Sequence, residues 1–138
     1  ARRASAQALL KSKFGHNTFR QNQQLIIDKC LQGRDVFFLA PTGGGKSLTF
    51  QLPALVLPGV TLVVSPLIAL MQNQLEYLRS LGVQAAMLGS AASAKEKTEV
   101  YADLNSNNPN TKLLYVSPEL LSSGDFFAVL RKLDRFGL

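Results

Sequence analysis

The sequence has only one cysteine, Cys30, among its 138 residues. A single thiol cannot form an internal disulfide or a thiolate metal cluster, so we expect no disulfide partner. This cysteine usage is typical of a reducing compartment such as the cytosol or the nucleus. The N-terminus also lacks the apolar core of a secretory signal peptide.

Charge is missing from one long stretch, because no charged residue occurs between Lys46 and Glu76. A membrane span needs about 20 unbroken apolar residues. Prolines at positions 53, 58 and 66 divide this stretch into shorter pieces. We therefore predict a helix, a buried strand and a second helix here, and no membrane partner.

Basic residues are concentrated near the N-terminus. Residues 1–40 contain seven Lys or Arg against two acids, whereas residues 41–138 contain eight against seven. Such an imbalance suits a polyanionic partner, but a solvated helix surface would give the same pattern. Hydrophobic residues make up 46% of the chain, which is an ordinary globular balance for one domain with a core.

A glycine-rich segment, residues 40–47, carries the strongest chemical signal. It follows an apolar run at Val36–Leu39 and precedes a predicted helix that begins near Leu48. A strand, a glycine-rich turn, Gly-Lys-Ser and a helix form the context of a phosphate-binding P-loop. Lys46 can reach the β- and γ-phosphates, and the Ser47 hydroxyl can ligate Mg²⁺. The predicted phosphate-binding residues are Thr42, Gly43, Gly44, Gly45, Lys46 and Ser47.

Predicted strands and helices alternate along the rest of the chain. Strands are predicted at Asp35–Ala40, Val60–Val64, Val83–Leu88 and Lys112–Val116, with helices between them. Such alternation predicts an α/β fold with a parallel sheet. Ligands of such sheets bind beyond the carboxyl ends of the strands. The P-loop and the segments at residues 65–66 and 117–119 should therefore line one edge of the sheet.

Four sequence blocks, taken together, resemble the first RecA-like motor domain of RecQ-family DNA helicases in superfamily two. The resemblance implies a RecA-like P-loop NTPase fold, a three-layer sandwich that is incomplete in these 138 residues. It assigns residues 1–138 to the first ATP-binding domain, with the adenine-reading helices in residues 1–34. The blocks are Phe14-Gly15 with residues 19–23, then residues 41–55, 63–75 and 113–121.

The first block resembles the adenine-reading motif of the family. Carried over to this sequence, Gln23 would hydrogen-bond the adenine edge and Arg20 would stack on the base. His16 occupies a position where the family often has an aromatic or apolar residue that covers the other face of the ring. A surface histidine remains the alternative for His16. The implied cofactors are ATP and Mg²⁺.

Two further blocks resemble motifs that contact single-stranded DNA. Hydroxyls, backbone N–H groups and polar helix residues would reach phosphate oxygens. Asn73 stands where many family members have Asp, and Glu119 could instead simply begin the next helix. The residues implied in DNA binding are Ser65, Pro66, Gln72, Asn73, Ser117, Pro118 and Glu119.

The resemblance implies an ATP-dependent 3′-to-5′ DNA helicase that acts in DNA repair and recombination. Its implied partners are single-stranded DNA, duplex junctions and a second RecA-like domain of the same parent chain. Two alternatives remain: a P-loop kinase or NTPase without a nucleic-acid role, and a non-catalytic nucleotide- or DNA-binding fragment. A nuclear location is expected, with the bacterial cytoplasm as the alternative.

The family's Asp-Glu-Ala-His block, which holds Mg²⁺ and activates water, does not occur in these 138 residues. The isolated segment is therefore expected to lack useful ATPase activity. In RecA-like sheets a later strand lies beside the P-loop strand. The strand predicted at Val36–Leu39 is accordingly expected to have an unpaired apolar edge.

Overall fold

The computed structural model describes residues 1–20, 22–41 and 45–137. The chain divides into two compact units, Ala1–Pro58 and Gly59–Leu138. We call them the N-terminal unit and the C-terminal unit. In the part of the chain that is described, no helix is both long enough and apolar enough to cross a bilayer.

Three helices build the N-terminal unit: α1 (Arg2–Ser12), α2 (Gln23–Leu31) and α3 (Leu48–Val56). Both α1 and α2 contact α3. Their buried apolar positions include Leu10, Ile27 and Leu52, which form the interior of this unit. A glycine after the apolar positions of a helix predicts the end of that helix, and Gly33 follows Leu31 in this way. Gly33 directly follows the C-cap of α2 with a φ of +77°, a backbone conformation that favours glycine, so the predicted end is confirmed.

The C-terminal unit is built on a parallel sheet. Its strands are β1 (Thr61–Val64), β2 (Ala85–Leu88) and β3 (Leu113–Val116), and β3 lies in the middle. The register pairs Leu62 with Leu114, and Ala86 with the same residue on its other side. The helices are α4 (Ile68–Ser80), α5 (Ala94–Leu104), a 3₁₀ helix (Pro118–Ser122) and α6 (Gly124–Arg135). The predicted α/β class with a parallel sheet is confirmed.

Helices cover both faces of this sheet. Leu114 and Val116 of β3 belong to a buried cluster with Leu104 of α5 and Phe126 of α6. Successive side chains of a strand point to opposite faces, so Tyr115 faces the other side. There its hydroxyl contacts Gln74 of α4. Two helical layers around one sheet give this unit a three-layer arrangement.

Two local predictions are wrong. The sequence predicted a strand over Asp35–Ala40, but none of these residues lies in a strand, and Phe37 is 92% exposed. Strands are stabilised by ladder hydrogen bonds to a neighbour, and no strand of the described residues pairs with this segment. Threonine is a common N-cap residue, so Thr18, which precedes the apolar positions of α2, predicts a helix start there. The helix instead begins at Gln23, after Asn22, whose φ is +67°.

Candidate functional site

The ends of the glycine-rich loop lie in the N-terminal unit. Gly45 has a φ of +74°, which is left-handed backbone that side chains rarely tolerate. The Lys46 ammonium donates a hydrogen bond to the Ala40 carbonyl oxygen at 2.8 Å and so closes the turn. Ser47 directly precedes α3, and its side chain makes no capping hydrogen bond to the helix. Thr42, Gly43 and Gly44, which were also predicted to bind phosphate, lie outside the described residues.

Gln23 connects the predicted adenine-reading segment to this loop. Its Oε1 accepts from the Arg20 backbone N–H at 2.8 Å, and its Nε2 donates to the Gly45 carbonyl at 3.0 Å. The side chain is buried, with 3% of its surface exposed. Each amide end can make one more hydrogen bond, because the NH₂ group has two donors and the oxygen has two lone pairs. The structure therefore brings Arg20, Gln23 and Gly45 together.

The contact at Gly45 leaves no room for a side chain. A Cβ at this position would lie 2.3 Å from Gln23 Nε2 and 3.8 Å from Arg20 Cδ. The φ of Gly45 therefore favours glycine, and a side chain here would force the Gln23 amide to move. His16 is exposed in the segment after α1, where its backbone N–H donates to the Leu10 carbonyl at 3.1 Å.

The carboxyl ends of β1 and β3 form one edge of the sheet in the C-terminal unit. The Ser65 N–H donates to the Val116 carbonyl at 3.0 Å, and the Ser65 hydroxyl accepts from the Leu67 N–H at 3.2 Å. Ser117 follows β3 directly. These two predicted DNA-binding serines therefore lie beyond the ends of paired strands. Pro66 is exposed beside Ser65, and Gln72 and Asn73 are exposed on α4.

Two residues that follow β2, Gly89 and Ser90, also lie at this edge, and the sequence analysis did not predict them. A Cβ on Gly89 would lie 3.4 Å from the Ser117 hydroxyl oxygen. A cavity of about 430 Å³ opens beside them. The missed signal was available, because Gly89 and Ser90 follow a predicted strand just as Ser65 and Ser117 do. The cavity is lined by Leu88, Gly89, Ser90, Lys97, Tyr101, Ser117, Glu119, Leu120 and Ser123.

Polar groups of several kinds line this cavity. Lys97 contributes a positive charge from α5, and Glu119 contributes a negative one from the 3₁₀ helix. Burial raises the pKa of the Tyr101 phenol, and the negative charge of Asp125 raises it further. The phenol therefore keeps its proton at neutral pH and can donate a hydrogen bond. Pro118 and Glu119 are exposed in the first turn of the 3₁₀ helix.

Residues 20–136 match the family model described as DEAD/DEAH box helicase. The match covers most of the chain, so the chain belongs to the DEAD/DEAH box helicase family.

Among individual relatives, the RecQ-like DNA helicase blm-1 of Caenorhabditis elegans is 49% identical over 94% of this chain. ATP-dependent DNA helicase Q5 of Rattus norvegicus is 43% identical over 96%, and ATP-dependent DNA helicase RecQ of Haemophilus influenzae is 41% identical over 91%. The resemblance to RecQ helicases that the motifs indicate is thus confirmed. The chain spans 13%, 14% and 20% of the lengths of these three relatives.

Proposed function

We propose that this chain supplies the ATP-binding part and a section of the single-stranded DNA path of a RecQ-type, ATP-dependent 3′-to-5′ DNA helicase. In this proposal residues 1–138 belong to the first RecA-like domain. A second RecA-like domain of the same gene product supplies the remaining catalytic groups. The isolated 138 residues bind ligands but do not turn over ATP, and the gene product acts in the nucleus, as expected for eukaryotic RecQ helicases.

The observation that carries the proposal is the bridge made by Gln23. One amide joins the backbone of the predicted adenine-reading segment to the backbone of the predicted phosphate loop. A nucleotide held at both places would bind with its base near Arg20 and Gln23 and its phosphates near Lys46.

The residues of the loop fit a triphosphate. The Lys46 ammonium already lies across the loop, and it can exchange the Ala40 carbonyl for phosphate oxygens. The N-terminus of α3 adds the partial positive charge of a helix dipole. Mg²⁺ would be held by the Ser47 hydroxyl, with phosphate oxygens and water as further ligands. The ion would neutralise charge that develops on the phosphates.

DNA contact is proposed for the serine-lined edge of the C-terminal unit. Ser65 and Ser117 lie beyond neighbouring strand ends, where hydroxyls and backbone N–H groups can reach phosphate oxygens. Gln72, Asn73, Pro66, Pro118 and Glu119 complete the proposed contact set. Ser90 and Lys97 extend it toward the end of β2.

Lys46→Ala in the complete gene product tests the nucleotide site. Loss of the ammonium removes charge stabilisation in phosphoryl transfer, and we expect ATP turnover to fall at least about 10²–10³-fold. ATP hydrolysis is measured with and without single-stranded DNA, together with strand separation. DNA should strongly stimulate the unmodified protein, whereas a P-loop enzyme without a nucleic-acid role would ignore it.

The matched control is Lys11→Ala, which removes an exposed lysine from α1 of the same unit. It should leave turnover unchanged. Both variants should melt at nearly the temperature of the unmodified protein. Normal ATP turnover by Lys46→Ala would refute the assignment of the phosphate site.

A further inference from the structure

A partly buried hydrogen bond connects the two segments for which we propose DNA contact. The Tyr115 hydroxyl donates to Gln74 Oε1 at 2.7 Å, although the two residues are 41 positions apart in the chain. Gln74 directly follows Gln72 and Asn73 on α4. Tyr115 lies two residues before Ser117, in the central strand of the sheet.

The Tyr115 side of this bond is rigid. Its side chain is 1% exposed, in a strand that is buried along its whole length. Ser117 continues the extended backbone of that strand, with φ −79° and ψ +154°. The position of the Tyr115 ring is therefore coupled through two residues of extended chain to the position of the Ser117 hydroxyl.

The Gln74 side of the bond fixes the helix. A second side-chain link joins α4 to the sheet at the other end, where Arg79 Nε donates to the Ala85 carbonyl at 3.1 Å. Ala85 begins β2, so this second link lies at the opposite edge of the sheet from Ser117. The Gln74 link joins α4 to β3 beside Gln72 and Asn73. Arg79 lines a cavity together with Gln72, but its link joins α4 to β2 and not to β3, so it offers a comparison for the loss of a helix–sheet bond alone.

We propose that Gln74 and Tyr115 are positioning residues for single-stranded DNA. Their hydrogen bond sets the rotation of α4 on β3, so that Gln72 and Asn73 reach the same strand of DNA that Ser117 contacts. Neither side chain touches the DNA. This inference depends on the proposed function, because it concerns the DNA path of that site.

Tyr115→Phe in the complete gene product tests the proposal, because it removes the donor and keeps the ring. We expect about two- to tenfold weaker binding, because loss of this hydrogen bond lets α4 shift on β3. Binding of a fluorescent single-stranded oligonucleotide is measured by anisotropy at one fixed salt concentration. The DNA concentration that half-stimulates ATP hydrolysis should rise by the same factor. Arg79→Lys keeps the positive charge and removes the Nε donor, so it is the matched control and should lower the melting temperature without weakening DNA binding.

The double variant Gln74→Met/Tyr115→Phe separates positioning from stability. Replacing both partners removes this donor and this acceptor together, so its melting temperature should lie above that of Tyr115→Phe. Its DNA affinity should stay low, because the helix is no longer fixed to the strand. Recovery of affinity along with stability would overturn the proposal, as would DNA binding by Tyr115→Phe that matches Arg79→Lys. Failure of the unmodified protein to bind the oligonucleotide would instead refute the proposed DNA path itself.

Discussion

The two units differ in the pairing and burial of their apolar segments. In the C-terminal unit, β3 is paired on both sides, and all four of its residues are buried. In the N-terminal unit, the apolar segment Val36–Leu39 is in no strand, and Phe37 and Leu39 are 92% and 85% exposed. β-propensity alone therefore does not make a strand, because a strand also needs a neighbour that completes its ladder of backbone hydrogen bonds.

Exposure of the segment Val36–Leu39 also favours association between molecules. Apolar chain without a sheet partner is a template for pairing with another molecule. The same segment leads directly into the loop that Lys46 closes. The part of the N-terminal unit that we propose to bind ATP is therefore connected directly to this exposed apolar segment.

A pair of phenylalanine substitutions gives the largest expected contrast between the units. Phe126 is fully buried in the cluster between the sheet and α6, and Phe126→Ala should lower the free energy of unfolding by about 3–5 kcal/mol. Phe37→Ala should change it by no more than about 0.5 kcal/mol. Urea titration followed by circular dichroism measures both. A large loss for Phe37→Ala would mean that the segment is packed in solution, which would break the comparison.

The next largest effect is expected for a substitution of Gly45 in the phosphate loop. Gly45→Ala places a methyl group 2.3 Å from Gln23 Nε2, on backbone with positive φ. We expect a loss of about 1–2 kcal/mol from the left-handed backbone. Because the Gln23 bridge must shift, we also expect ATP affinity to fall at least about tenfold, a loss of about 1.4 kcal/mol. Calorimetric titration with a non-hydrolysable ATP analogue measures the affinity.

Gly33→Ala is the matched control in the same unit. Gly33 has a φ of +77°, but nothing lies within 4 Å of a Cβ placed there. The substitution should cost similar stability through backbone strain alone and should leave nucleotide affinity unchanged. Equal loss of affinity in both variants would show that strain, rather than the contact with Gln23, determines binding.

Sequence reasoning succeeded where a local pattern decides the structure. The β-branched run before Ser65 formed β1, and Gly33 ended α2 as predicted. It failed for Val36–Leu39, because its composition fits a strand but pairing depends on distant residues. It also could not predict the bond between Gln74 and Tyr115, nor the approach of Gly89 to Ser117, since each joins residues far apart in sequence.

The same limit applies to the candidate sites. The resemblance implied that Arg20 and Gln23 bind the base of the same nucleotide as the P-loop, and the structure places Gln23 against Gly45. The resemblance could not show that both ends of the amide already hold protein backbone. In a similar way, Lys97 was missed because the cavity it lines is created where α5 packs against β2.

The smallest expected effect concerns the turn before β3. Asp103 Oδ1 accepts from the Asn110 N–H at 2.9 Å, and Oδ2 accepts from the Thr111 N–H at 3.0 Å and its hydroxyl at 2.6 Å. Burial alone would raise the pKa of this carboxyl, but the three hydrogen bonds outweigh it and lower the pKa below its ordinary value. We expect Asp103→Asn to cost about 1 kcal/mol at neutral pH.

The pH dependence of that cost follows from the direction of the shift. A carboxyl whose pKa is lower in the folded state stabilises the fold above the ordinary aspartate value of about 3.9. That contribution is lost as the pH falls through the lower, folded-state pKa. The difference in stability between the unmodified protein and Asp103→Asn should thus be constant near pH 7 and shrink below about pH 4. Asp134→Asn, at an exposed carboxylate of α6, controls for general charge effects. If stability depended on pH in the same way in both variants, β3 would not be anchored through Asp103.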